Sequence, residues 1–375
     1  MRIGVPKELK DGEYRVGLVP AGVHALRLHG HEVLVETGAG ARVGFADASY
    51  EGAGARVVSD AAEVWSAQMV VKVKELQERE YALARRGQVL FAYLHLAPEP
   101  RLLDALLRAG VTGIAYETVA DQGGGLPLLA PMSRIAGKLS VQFGAWALQM
   151  ANGGSGVLLG GVPGVAPAHV TVIGAGSVGA NAVRIAVGMG ADVTVLDLNS
   201  AALVHLEDLY QSRVKTVYSE ALALAEHVAA ADLVIGATLS PGKLAPKLIS
   251  RDLLRRMRPG SVLVDVAIDQ GGIADTSRPT SFSHPVYVEE GVVHVCVPNM
   301  PSAVARTATL ALTQATMPYV LDLADEGAHA ALSRNPGLRA GLQVFSGQLT
   351  HRGLAEDLGR PWTAYEAVAS GMHSA

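Results

Sequence analysis

The sequence predicts an α/β protein of two doubly wound domains, one inserted in the other. Three observations carry that reading. Strand-like and helix-like runs alternate along most of the 375 residues. One stretch, Val170 to Asp197, joins two strands through a glycine turn and a helix. From Thr307 the alternation gives way to a long helix and shorter helices that form no domain of their own. Alternation of this kind builds parallel sheets covered by helices on both faces.

In the first part, strands are expected at Ile3–Val5, Glu32–Glu36, Arg56–Val58, Met69–Val73, Val89–His95 and Thr112–Tyr116. Helices are expected between them at Ala21–Leu28, Ala61–Trp65, Glu78–Arg86 and Arg101–Arg108. Gly30, Gly87 and Gly110 stand where helix C-terminal glycines belong. A long helix follows Pro131, from Ser133 to Met150, and links the domains. After Asp197 the pattern resumes with strands at Lys215–Tyr218, Asp232–Ala237, Ser261–Ala267 and Val292–Val297. The tail is expected to pack back on the N-terminal domain. The boundaries are therefore 1–132 with 306–375 for one domain, and 133–305 for the other, with 133–150 as the linking helix.

The stretch VTVIGAGSVGANAVRIAVGMGADVTVLD carries the most chemistry. Gly174, Gly176 and Gly179 have GxGxxG spacing between a β-branched strand and a small-residue helix. The first glycine permits a tight turn, the second lets backbone N–H groups approach a pyrophosphate, and the third lets helix and strand pack closely. The helix N-terminus adds unpaired donors for phosphate. Asp197 ends the second strand, where a carboxylate accepts bonds from ribose hydroxyls. This is a Rossmann dinucleotide site. A 2′-phosphate would meet Asp197 with like charge, and Leu198, Asn199 and Ser200 supply no arginine for it, so NAD is expected over NADP.

Composition excludes several other classes. With 49% hydrophobic and 18% charged residues the chain is globular. A net charge of −4 and 5% aromatics give neither a phosphate-backbone field nor stacking platforms, so no nucleic acid is expected. The single cysteine, Cys296, flanked by Val295 and Val297, reads as a buried strand residue in a reducing compartment. Leu139 to Val183 holds no charged residue, yet Asn152-Gly153-Gly154, Pro163-Gly164 and Pro167 interrupt it, which argues for buried core and against a membrane span. The chain enters a strand at Arg2 without a signal-peptide pattern, and the expected location is the cytoplasm. The His29/His31 pair lacks a third ligand in pattern, and no metal is expected.

Ligands of open α/β sheets bind outside the carboxyl ends of strands. Polar residues there are Lys72 and Lys74, which close the strand MVVKVKEL on one face by alternation, His95, which closes VLFAYLHL, and Asp269, which follows SVLVDVAI. Each has an ordinary alternative: a lysine is usually a solvated charge, a histidine among apolar residues a satisfied core group, and Asp265 competes with Asp269. Asp265 is mid-strand, and its expected work is to bond a backbone turn. Arg15, in EYRVGLVP, would by itself be a surface cation.

The chain resembles the alanine dehydrogenase/transhydrogenase alpha-subunit family. The resemblance runs from RIGVPKE through KVKE, FAYLHLA, AYETV, LLAPMSRIAGKLS, GVLLGGVPGV, VIGAGSVG, DVAIDQGG and VPNMPSAVARTAT to ATMPYVLDLAD. It covers essentially the whole length. It implies an NAD-dependent L-alanine dehydrogenase that interconverts L-alanine with pyruvate and ammonia. By matching motif, Arg15 and Lys74 hold the substrate carboxylate, His95 is the general acid/base, and Asp269 is the second catalytic residue. Cofactor contacts carried over the same way are Ser133, Ser177, Val178, Asp197, Ser219, Leu239, Val266, Ala267, Ile268, Asp269, Arg278, Val297, Pro298, Asn299 and Met300, besides Gly174, Gly176 and Gly179. Some relatives have a basic residue shortly after the ribose acid; Ala202 stands there here, which should weaken adenosine-side binding a little. The family also implies a homo-oligomer, a hexamer. Two alternatives stay open: a nucleotide-binding component of a transhydrogenase, and another amino-acid dehydrogenase of the same superfamily.

Overall fold

The structure, a computed structural model, describes residues 1–238 and 244–372. The chain divides into two compact units, Met1–Met132 with Val304–Ala375, and Ser133–Ala303. In chain order the described strands are β1 (Arg2–Val5), β2 (Glu32–Glu36), β3 (Arg56–Val58), β4 (Met69–Val71), β5 (Val89–Ala92) and β6 (Thr112–Ala115). Next come β7 (His169–Ile173), β8 (Asp192–Asp197), β9 (Val214–Tyr218), β10 (Leu233–Gly236), β11 (Val262–Asp265), β12 (Val286–Glu289) and β13 (Val292–Val295). The last two are β14 (Leu342–Phe345) and β15 (Gln348–Leu349).

The sheet of the first unit has the order β15-β14-β6-β5-β4-β1-β2-β3, with β1 to β6 all parallel. Parallel strands are covered on both faces and read as unbroken apolar runs. Accordingly β4 (MVV) and β5 (VLFA) are buried along their whole length. Leu102, Leu103 and Leu106 of the helix Pro100–Ala109 fill the core beside β5. Strand order reverses between β1 and β4, which is where a doubly wound sheet opens a crevice at its carboxyl ends. The long helix Ala305–Glu326 belongs to this unit, and its Thr309 Oγ1 accepts the N–H of Val16 at 3.3 Å.

The second unit has the order β12-β13-β11-β10-β7-β8-β9, parallel except for β12. Its switch point lies between β7 and β10. Both units are therefore doubly wound α/β sheets, as the alternation predicts.

Several expectations need correction. The tail is not purely helical. β14 pairs antiparallel with β6, and β15 closes a hairpin on it. β12 likewise forms an unanticipated hairpin with β13. Both hairpins turn on two residues with positive φ, Ser346 (50°) with Gly347 (83°) and Glu290 (52°) with Gly291 (76°). That is the turn whose twist matches paired strands, and an X-Gly pair marks it in sequence. The linking helix runs Ala130–Ala147, starting ahead of Pro131 because a proline in the first turn lacks only an N–H that has no helical partner there. The Glu78–Arg86 run is a 3-10 helix, Glu78–Leu83, closed by a capping box between Gln77 and Glu80.

Candidate active site

In the first unit the loop leaving β1 is fastened to the end of β2 and to the loop leaving β4. Glu36 accepts the N–H of Lys7 at 2.9 Å, and Glu8 Oε1 accepts that of Val73 at 2.7 Å. Lys10 pairs with Glu75. These ties hold Arg15, which is 2% exposed and so not the surface cation that the bare sequence suggests. Glu13 explains its burial: the carboxylate receives Arg15 Nε at 2.7 Å and Nη2 at 2.6 Å. Burial works against the guanidinium charge, and Glu13 more than offsets it, so the Arg15 pKa lies above its ordinary value. Nη1 meets the thioether of Met132 at 3.0 Å, a weak acceptor.

The two lysines after β4 part company. Lys72 is fully enclosed, with Nζ 2.9 Å from Glu80 and 3.3 Å from Glu8. Burial opposes its charge, yet the two carboxylates raise its pKa. Glu8 is pushed up by burial, an effect Lys72 moderates. Lys72 is thus the centre of an internal ion triad. Lys74 is also buried. Burial raises the pKa of the neighbouring Glu75 carboxyl, and Lys74 and Lys10 together reverse this, leaving it lowered.

His95 lies three residues beyond β5 and is exposed, unlike Leu94 and Leu96 on either side. Its φ is 44°, in the left-handed region that a residue with a side chain seldom enters. The Tyr93 and His95 rings are stacked, 6.0 Å apart and inclined by 18°, and Tyr93 Oη donates to Leu128 O at 2.7 Å. The N–H of His95 donates to Glu117 Oε1 at 2.7 Å. Glu13 and Glu117 are functional neighbours that sequence reasoning passed over. The strand-end rule, applied to β6 as it was to β5, points at Glu117.

In the second unit the glycine turn follows β7. Gly174 has φ 106°, and a side chain on Gly179 would put its first carbon 1.7 Å from Gly174 O, so turn and helix meet only through glycine. The helix Ser177–Gly188 starts with exposed Gly176 and Ser177 and has no side-chain cap. Val178 lies in its first turn. Asp197 at the end of β8 accepts Ala175 N–H at 2.5 Å and Asn199 N–H at 2.7 Å. Ser219 follows β9 and donates its N–H to Asp197 O at 3.0 Å. Leu239 lies outside the described residues.

After β11 the chain makes a 3-10 helix, Val266–Gln270, which carries Val266, Ala267, Ile268 and Asp269. Asp265, wholly buried, accepts N–H bonds from Ala267 at 3.1 Å and Ile273 at 2.7 Å and the Ser277 hydroxyl at 2.5 Å. It staples this turn, while Asp269 stays exposed, with Asn299 N–H 3.5 Å from its Oδ2. Val297, Pro298, Asn299 and Met300 follow β13. The Arg278 guanidinium lies 3.7 Å over the Tyr287 ring, and Tyr287 Oη accepts Arg278 N–H at 3.0 Å. Ser133 is half-buried on the linking helix. Cys296 is buried, its thiol pushed up to about 12 by burial.

Most of the residues assigned to the cofactor thus follow the carboxyl ends of β7, β8, β9, β11 and β13 in one sheet. The fit to a dinucleotide goes beyond the motif. The uncapped helix N-terminus offers N–H donors, and beyond Gly176 and its two chain neighbours no described atom comes within 4 Å of where a Gly176 side chain would begin. Thr238 Oγ1, just past β10 at the switch point, is buried without a hydrogen-bond partner among the described residues. Among the described residues, no group of three or more His, Cys, Asp or Glu side chains is placed to hold a metal ion.

Two doubly wound sheets in one chain, one of them carrying a glycine turn suited to a dinucleotide, describe a two-unit nucleotide-binding protein. Comparison with known proteins narrows this. Residues 4–136 match the alanine dehydrogenase/PNT N-terminal domain model, and residues 140–352 match the C-terminal domain model. The chain belongs to the alanine dehydrogenase/PNT family. It is 57% identical to alanine dehydrogenase of Halomonas elongata over 96% of its length and 97% of that protein. It is 52% identical to the Mycobacterium tuberculosis alanine dehydrogenase, covering 98% of this chain and all of that one. A solved L-alanine dehydrogenase structure superposes with a TM-score of 0.93 at 51% identity, covering 96% of this chain and 99% of the other. A transhydrogenase structure from Sinorhizobium meliloti superposes with a TM-score of 0.81 at 28% identity, covering 94% and 99%. Family and fold together imply a pyridine nucleotide cofactor.

Proposed function

We propose that the chain is an NAD-dependent L-alanine dehydrogenase, reversibly converting L-alanine to pyruvate and ammonia. The observation that carries the reading is the buried Arg15 guanidinium, locked by Glu13 at the carboxyl end of the first sheet's switch point. A fixed guanidinium is the group for gripping a carboxylate in a defined orientation. The names of the most similar relatives agree.

The residues divide the work as follows. Arg15 and Lys74 hold the substrate carboxylate and so set the direction of the Cα–H bond. Bound NAD supplies the hydride acceptor. His95, exposed at a strand end, exchanges the protons that imine formation and hydrolysis require near neutral pH. Asp269 has the role of orienting the attacking water or the ammonium group. In reverse, the same groups aminate pyruvate. In this reading the first unit is the substrate domain and the second the NAD domain. Asp197, with no arginine in the three residues after it, favours NAD over NADP. A transhydrogenase component would leave Arg15, Lys74, His95 and Asp269 without a task.

The working form is a homo-oligomer in the cytoplasm, a hexamer by family resemblance. The uncharged stretch expected to be buried core instead exposes Met150, Leu158, Val162 and Val165, and this apolar surface is what supports association. Among the described residues no helix is long and apolar enough to cross a membrane. The test of function is L-alanine-dependent reduction of NAD at alkaline pH, followed at the NADH band, with serine and glycine as controls. Absence of alanine-dependent reduction would refute the reading, and a preference for a larger amino acid would favour another dehydrogenase of the superfamily.

A further inference from the structure

We infer that Glu117 is a positioning residue for His95, holding the backbone of the acid/base histidine in its left-handed conformation. The inference rests on His95 being the acid/base group. β5 and β6 are paired in register up to Ala92 and Ala115. Beyond that point β6 passes into the short 3-10 helix Tyr116–Thr118, and no β6 carbonyl continues the ladder. The Glu117 carboxylate takes the ladder's place. Its Oε1 accepts the N–H of His95 at 2.7 Å, and both oxygens lie 3.3 Å from the N–H of Leu94.

These bonds fix the amides of Leu94 and His95, immediately before the His95 Cα where the chain turns into the left-handed region. His95 has φ 44°, a conformation that brings Cβ against the backbone and persists only where surrounding structure enforces it. The consequence is directional. Leu94 and Leu96 are buried, whereas the intervening imidazole is turned outward, stacked beside Tyr93. Without its acceptor, His95 relaxes toward an extended backbone and the imidazole swings away from where the substrate must present its proton. The other ionisable groups that feel the Glu117 charge are Tyr93 and His351, both of whose titrations burial governs first.

The role is one of geometry, and substitutions separate it from charge. Glu117→Gln keeps an oxygen at the Oε1 position, whereas Glu117→Asp keeps the charge and withdraws it by one carbon. Kinetic constants are measured for these two, Glu117→Ala, His95→Ala and the His95→Ala/Glu117→Ala double variant. Glu117→Ala and Glu117→Asp are expected to lose about 10- to 100-fold in kcat, the scale set by misplacing a catalytic group by an ångström, with the KM for NAD little changed. Glu117→Gln recovers most of that loss. In the His95→Ala background, Glu117→Ala removes nothing more, because the two act as one unit. An undiminished kcat in Glu117→Ala, a retained kcat in Asp with a lost one in Gln, or additive losses in the double variant would each overturn the inference. Full turnover by His95→Ala would instead overturn the acid/base reading itself, and this inference with it. If Glu117→Ala does not fold, the order of Gln and Asp still decides.

Discussion

Glu13 and Arg15, two residues apart, form a buried two-point ion pair, with Nε and Nη2 on opposite oxygens of one carboxylate and side chains at most 1% exposed. The same carboxylate also accepts the Arg15 backbone N–H at 3.0 Å. The guanidinium plane is therefore set before a substrate arrives. On its far edge Nη1 faces the Met132 sulfur, which a substrate carboxylate would outcompete as an acceptor. Glu13→Gln is expected to raise the KM for alanine and pyruvate about tenfold, because one charge-assisted contact orienting Arg15 is lost. Initial rates at saturating NAD check this; an effect confined to the KM for NAD would contradict it. Glu13→Ala leaves an unpaired buried guanidinium and should lose about 3–5 kcal/mol of stability, read in denaturant unfolding.

Asp197 already accepts two backbone N–H bonds, from Ala175 and Asn199, which aim its carboxylate at the end of β8. Asp197→Ser removes the charge that repels a 2′-phosphate. The ratio of kcat/KM for NADP to that for NAD should rise about tenfold or more. An unchanged ratio would remove the ribose argument.

Gly179→Ala tests the cofactor turn by sterics alone. The added carbon would lie 1.7 Å from Gly174 O, and the obstacle is backbone, so the turn must shift. NADH binding, followed by nucleotide fluorescence, should weaken at least tenfold, with about 1–3 kcal/mol lost in unfolding. Wild-type affinity would show that the turn does not hold the pyrophosphate.

One ion cluster gives a pH signature. Asp325, at the end of the long helix, lies 2.7 Å from His31 Nε2 and 2.9 Å from His29 Nδ1. The His31 bond, opposed by burial and helped by His29, holds the Asp325 carboxyl below its ordinary 3.8. A carboxylate whose pKa is lower in the folded state contributes stability above its ordinary pKa and loses it as pH falls through the lowered one. Asp325→Asn should therefore lower stability at neutral pH by at most about 1 kcal/mol, since the pair is partly exposed. Thermal unfolding should show the gap between wild type and variant narrowing only below pH 3.8. A gap that stays open on acidification well below that value would contradict it.

What the sequence discloses is mostly what is local. The glycine turn, its helix and Asp197 sit within one βαβ unit, and their spacing alone specifies how they meet. The central parallel strands are legible because burial on both faces leaves unbroken apolar runs. The β12–β13 and β14–β15 hairpins are hard to read because their strands are short, although Glu290-Gly291 and Ser346-Gly347 carry the turn signal. The division between Lys72 and Lys74 was out of reach. Alternation puts both on one face, and only the fold brings Glu8 and Glu80 onto Lys72. Glu117 is likewise 22 residues from His95 in sequence and one strand away in space.

The most direct test of the account is the fate of the Cα hydrogen. L-alanine deuterated at Cα is incubated with the protein and NAD, and the reduced nucleotide is examined by proton NMR. The account predicts one deuteron per NADH on nicotinamide C4, confined to a single face, with pyruvate formed in equal amount. NADH without deuterium at C4, or no alanine-dependent NADH at all, would contradict it.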